Sequence, residues 1–267
     1  MAKKVYGKCA LCGKEGKLTF EHIPPEAAFN NTPAKPIPGD EFLLRGNVYP
    51  WETHGIPYQN LQQGMGMYSL CETCNPLTGS LYGNEYKEFA QRAIQVAFSD
   101  VDPSKSEVVF QNVHPLRVIK QIASMFCSTT RIEQLDELRT FVLDKEKRGI
   151  DKSKFEFRMY FTRDNVIKWT GFNVLCIGGE PNPVILSEIT AFPLGFILYL
   201  NPSEVHHKAG IDITSFSDFG YDDICDVHSP ILIHTVNSWV PGDYRSREEI
   251  IATFEKNREW EREHSEV

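Results

Sequence analysis

The sequence predicts an α+β protein in two parts, on three grounds. Two C-x-x-C pairs, Cys9-x-x-Cys12 and Cys71-x-x-Cys74, fall within the first hundred residues. Apolar residues then recur at helical spacing between residues 84 and 138. Beyond residue 154 the period drops to two, in short runs of β-branched and aromatic residues. The first part is assigned to residues 1–100 and the second, an α+β unit with an antiparallel sheet, to residues 108–267. The polar stretch "SDVDPSKSE" lies between them.

Taken in order, "CALCGKEGKLTF" reads as a small hairpin with Gly13 and Gly16 at its turn. Residues 24–66 hold Pro24, Pro25, Pro33, Pro36, Pro38, Pro50 and Pro57 with glycines between, which predicts a long irregular insertion of functional or mobile character. Tyr86, Phe89, Ala90, Ala93, Ile94 and Ala97 then place an amphipathic helix over residues 84–98. Leu116, Ile119, Ala123 and Phe126 mark a second helix. A third is expected to open at the capping box Thr130-x-x-Glu133 and to stop near Gly149. In "FEFRMYF", Phe155, Phe157, Met159 and Phe161 alternate with Glu156, Arg158 and Tyr160. "FNVLCIG", "PVILSEI", "LGFILYL" and "PILIHTV" read as further strands. A last helix opens at Ser246-x-x-Glu249 and runs toward Trp260.

Composition narrows the class. A hydrophobic content of 41% and a charged content of 24% suit a folded protein with a sizeable core. No apolar run approaches the ~20 residues that span a bilayer, and the basic N-terminus lacks the apolar segment of a secretory signal. A membrane partner is therefore not expected, and the setting expected is a reducing cytoplasm, where cysteine pairs bind metal or do redox chemistry. The net charge of −8 does not advertise a nucleic-acid binder. Lys3, Lys4, Lys8, Lys14 and Lys17 nevertheless meet only Glu15 in the first twenty residues: either a solvated edge or the surface that would attract phosphate.

Four cysteines in two pairs are the usual ligand set of a tetrahedral structural zinc. The competing reading, a redox dithiol, needs only one pair and a βαβ pattern that is absent here. Cys127, Cys176 and Cys225 stand singly and read as buried free thiols. Zinc leaves Glu21, His22 and Asn75 unexplained. The joint pattern "CALC … FEHIPP … LCETCN" resembles the HNH endonuclease family in its zinc-ribbon form, over roughly residues 5–98. The resemblance implies a ββα-metal fold and hydrolysis of phosphodiester bonds, with DNA favoured over RNA as the partner. Carried over residue by residue, it implies that Glu21 and Asn75 bind a catalytic Mg²⁺ or Mn²⁺ and that His22 activates water. Two positions depart from the pattern. Glu21 stands where the family more often has Asp, and Gly66 where an Asn often orients the histidine. A backbone carbonyl or Asn60 would then take that role.

The chemistry suits these residue types. A hard cation prefers oxygen ligands, which Glu21 and the Asn75 amide supply, and an imidazole neutral at pH 7 can accept a proton from water. The bland alternatives are a structural His22, an Asn75 that only caps a helix, and a surface loop at His206-His207. His54, in the insertion, is a second candidate base. In the nuclease reading, the acidic second part suggests regulation, dimerisation with a second copy of the chain or binding of a regulatory partner. The rival function is a non-catalytic zinc adaptor whose second part does the work.

Overall fold

The computed structural model describes residues 4–46, 48–100, 102, 106–176, 182–206, 208–234, 238, 243 and 245–264. Strands β1 (Val5–Lys8) and β2 (Glu15–His22) form the expected hairpin, with Val5 opposite Leu18 and Lys8 opposite Glu15. Gly13 stands at φ +72° in the connection that carries the first cysteine pair; Gly16 lies within β2. On its other side β2 pairs antiparallel with β3 (Gly66–Cys71), placing Leu18 opposite Cys71 and His22 opposite Gly66. That register gathers both cysteine pairs at one end of the sheet and leaves His22 at the other.

The insertion between β2 and β3 is largely irregular, with one short helix, α1 (Gly39–Leu43), and a bridge between Ala34 and Leu61. Asn30 knots its ends. This buried side chain donates to Pro24 O and to Met65 O, both at 2.7 Å, and accepts from Met65 N at 2.7 Å.

After β3 the chain winds through α2 (Cys74–Thr78), one π-helical turn (Gly79–Gly83) and α3 (Asn84–Ala97). Tyr86, Phe89, Ala90, Ala93 and Ala97 are buried, as the helical spacing predicts. Next come β4 (Glu107–Val113), α4 (Pro115–Thr129) and α5 (Asp136–Leu143). The expected capping box at Thr130 does not form. Thr130 is extended, its N–H closes α4 on Phe126 O, and α5 starts later through a 3-10 turn at Glu133–Leu135 and ends at Leu143. The box at Ser246 does form: Ser246 N donates to Glu249 and Glu249 N to Ser246 Oγ, opening α6 (Arg247–His264). In the insertion, Tyr49 stacks on Trp51 and packs against Phe254 of α6, while Arg247 lies 4.3 Å over the Trp51 ring.

The large sheet contains β5 (Phe155–Thr162), β6 (Ile167–Leu175), β7 (Val184–Ala191), β8 (Leu194–Leu200), β9 (Ile211–Asp212) and β11 (Ile233–His234). Its order is β11-β5-β8-β7-β6, with β9 also paired to β5. Pairing is antiparallel except between β11 and β5. β10 (Cys225–Pro230) pairs antiparallel with β4, and sequence periodicity revealed neither. The α+β class and the antiparallel sheets thus stand. Tyr160, which alternates with the apolar residues of β5, is also buried, in a cluster with Val184, Leu186, Ile197 and Tyr199.

One buried cluster runs from Cys9 and Leu18 through Phe89, Phe110 and Phe126 to Phe157 and Ile231, so the four-cysteine end and the large sheet share a core. Arg139 Nε donates to Ala10 O, Arg131 Nη2 to Tyr68 O and Tyr82 OH to Val142 O across the same boundary. No helix among the described residues is long and apolar enough to cross a membrane. Of the single cysteines, Cys127 is buried as expected, Cys225 is half-buried and Cys176 is exposed.

Candidate functional site

The sulfur atoms of Cys9, Cys12, Cys71 and Cys74 all lie within 4.8 Å of one another, although fifty-nine residues separate Cys12 from Cys71. Tetrahedral zinc with Zn–S bonds near 2.3 Å requires sulfurs ~3.8 Å apart. The Cys12 and Cys71 sulfurs are 3.9 Å apart. Cys71 N–H also points at Cys9 Sγ, at 3.4 Å. Burial opposes ionisation at Cys71, yet the N–H groups of Cys74 and Thr73 and the neighbouring thiols bring its pKa down to about 7. Burial and the like charge of Cys9 push Cys74 far up, and burial raises Cys12 as well. Four thiols so crowded ionise together only around a cation, so the donor set fits a structural metal such as zinc.

β2 leads from this cluster to a second feature. Glu21 and His22 are adjacent in a strand and start toward opposite faces. Even so, both line a small cavity of about 230 Å³ with Phe20, Glu26, Asn75, Gly79, Gly83 and Gln121. Glu21 is buried, and Ser69 Oγ and Ser128 Oγ both donate to its Oε2, at 2.7 and 2.6 Å. Burial lifts its pKa to about 7, the two hydroxyls holding the rise back. Both bonds fall on one oxygen, and Oε1 takes part in neither.

His22 is half-buried, and its Nε2 faces Gln63 O at 2.8 Å. A carbonyl only accepts, so Nε2 carries the hydrogen and the neutral ring keeps Nδ1 as its basic nitrogen. Asn75 lies in the first turn of α2 but does not cap it. Its Nδ2 donates to Thr19 Oγ1 and to Phe20 O, both at 3.0 Å, which ties α2 to β2 and leaves Oδ1 as the uncommitted end of the amide. The cysteine cluster therefore anchors the helix whose second residue is Asn75.

Comparison with protein-family models, with curated proteins and with solved structures finds no match. Two larger cavities, of about 640 and 620 Å³, lie between the insertion and β6 and beside the cysteine cluster. Neither contains an imidazole, so the smaller cavity is the chemically organised one. His54 is exposed and does not line it. His206 is exposed, and His207 lies outside the described residues.

Of the two groups expected to orient His22, the backbone carbonyl is present, that of Gln63, rather than Asn60. Sequence reasoning missed three participants. Asn30 ties the ends of the loop around His22. Ser128 and Gln121 come from α4. Only Asn30 had a visible signal, an asparagine six residues after Pro24 in a segment otherwise apolar or acidic. Gly64 and Gly66 also have reasons to be glycine. A Cβ on Gly64 would stand 2.0 Å from Asn30 O, and one on Gly66 would stand 2.3 Å from Glu21 O.

Proposed function

We propose that this protein is a metal-dependent endonuclease of the HNH type that hydrolyses phosphodiester bonds in nucleic acid. The reading rests on one observation: a carboxylate, an oriented imidazole and a carboxamide line one cavity. Glu21 and Asn75 offer oxygen donors that suit Mg²⁺ or Mn²⁺. When bound, such a cation would neutralise charge on the phosphoryl and leaving oxygens. His22 Nδ1 takes the proton of the attacking water as that oxygen bonds to phosphorus and one P–O ester bond breaks, the leaving oxygen departing with its electron pair. The Gln63 carbonyl holds the imidazole tautomer that makes Nδ1 basic. Zinc at Cys9, Cys12, Cys71 and Cys74 is assigned the structural role of holding α2, and with it Asn75, against β2.

The preference for DNA over RNA rests on the family resemblance. Of the N-terminal lysines, Lys4, Lys8 and Lys14 are assigned to phosphate attraction; Lys17 pairs with Glu72, and Lys3 lies outside the described residues. The test is a substrate panel of supercoiled plasmid, single-stranded DNA and structured RNA, each with Mg²⁺, Mn²⁺ or EDTA. Cleavage that requires the divalent ion is expected. No cleavage of any substrate under any metal would reject the reading and leave a zinc adaptor in its place.

A further inference from the structure

α4 is buried along nearly its whole length among apolar side chains, yet Gln121, Ser124 and Ser128 form a polar row on it. Their spacing of three and four residues puts them on one helical face. Ser128 has a partner in Glu21. Gln121 does not: its side chain is 3% exposed, it lines the cavity that holds Glu21, His22 and Asn75, and its Oε1 is buried with no hydrogen-bond partner. Buried acceptors are almost always satisfied, and an orphan inside a functional cavity points to a ligand that supplies the missing donor. The cavity lining leaves room for one. Gly79 and Gly83 both line the cavity in the π-helical turn, and a Cβ added to either would meet nothing within 4 Å. Such turns occur frequently at functional sites.

We infer that Gln121 belongs to the same site, as a hydrogen-bond acceptor for the hydration shell of the divalent cation held by Glu21 and Asn75. The inference rests on the nuclease reading above and deepens it, because it places part of the site on α4 (Pro115–Thr129), beyond the first hundred residues. A divalent ion with two protein oxygens keeps several waters, whose hydrogens need acceptors. Partners that hold a metal's ligands from outside typically change its affinity by 10–100-fold.

The experiment uses zinc-loaded full-length protein and measures Mn²⁺ binding by electron paramagnetic resonance titration, alongside metal-dependent cleavage. Gln121→Met removes the acceptor at similar volume. Gln121→Glu keeps it. Gln121→Met is expected to weaken Mn²⁺ binding about 10–100-fold. It should leave zinc content intact and, without added Mn²⁺, melt at or above the wild-type temperature, since an unpaired polar atom is gone. Gln121→Glu should bind Mn²⁺ at least as tightly as wild type. Wild-type Mn²⁺ affinity in Gln121→Met, with Glu21→Gln impaired, would overturn the role of Gln121 and spare the cation site. Equal weakening in Gln121→Met and Gln121→Glu would also overturn it. Equal Mn²⁺ affinity in wild type and Glu21→Gln would overturn the cation site, and this inference with it.

Discussion

Ser128 Oγ donates to Glu21 Oε2 at 2.6 Å, a buried hydrogen bond between residues 107 positions apart in the chain. It makes α4 a wall of the candidate site rather than part of a distant unit. Tyr86 packs on Phe196 with ring centroids 6.0 Å apart, and Phe89 stacks on Phe110 at 4.4 Å, so the first hundred residues bury their main helix against the rest. A fragment of residues 1–100 is expected to bind zinc but to expose this aromatic face, bind hydrophobic dyes and cut no substrate. A fragment with a dispersed NMR spectrum and full-length cleavage rates would contradict this.

Glu21 makes metal-free stability depend on pH. Its folded-state pKa of about 7 lies above the ordinary carboxyl value of 4.5. The folded state therefore holds a proton that the unfolded state loses across pH 4.5–7, so this group's contribution falls as pH rises through that window and stays low above it. The shift corresponds to a loss of about 3 kcal/mol between pH 4 and pH 8. Glu21→Gln should match wild type near pH 4 without added Mg²⁺ or Mn²⁺, exceed it by up to that amount at pH 8, and lose cleavage. Urea titrations at the two pH values measure it; parallel behaviour of the two proteins would refute the assignment.

The cysteine cluster sets a second stability test. Protein purified without chelator is expected to hold a single zinc. Cys71→Ser should lose it and destabilise the first part strongly, because structural zinc contributes folding free energy directly. Metal analysis that finds no zinc in the wild type would end this assignment.

Asn30 makes three buried hydrogen bonds across the ends of the insertion. Asn30→Ala should cost about 3 kcal/mol, the order expected when several buried partners lose their bonds. It should also lower cleavage, because the same loop carries the Gln63 carbonyl that holds His22. A variant that is destabilised yet cuts at the wild-type rate would separate the knot from the site.

Much of this organisation is legible in the sequence. The cysteine spacing anticipates the four-sulfur cluster, and period-two runs anticipate β5, β7 and β8. Pro24-Pro25 mark the end of β2 just after His22. The rest was hidden for physical reasons. A backbone carbonyl beside His22 is anticipated, but no side chain announces that it belongs to Gln63. Gln121 and Ser128 are short polar interruptions in an apolar helix, and they look like surface positions until α4 is packed against Glu21. Alternation cannot tell that both faces of β5 are covered, so it does not announce that Tyr160 is buried.

The most direct test of the central claim is the cleavage rate of His22→Ala on plasmid DNA at saturating Mg²⁺, with zinc content and Mn²⁺ binding measured on the same protein. Loss of a general base should lower the rate roughly 10²–10⁴-fold while both metals stay bound. A variant that retains both metals and cuts within a few-fold of wild type would show that His22 is not the base, and that the cavity between β2 and α2 is not where the bond is broken.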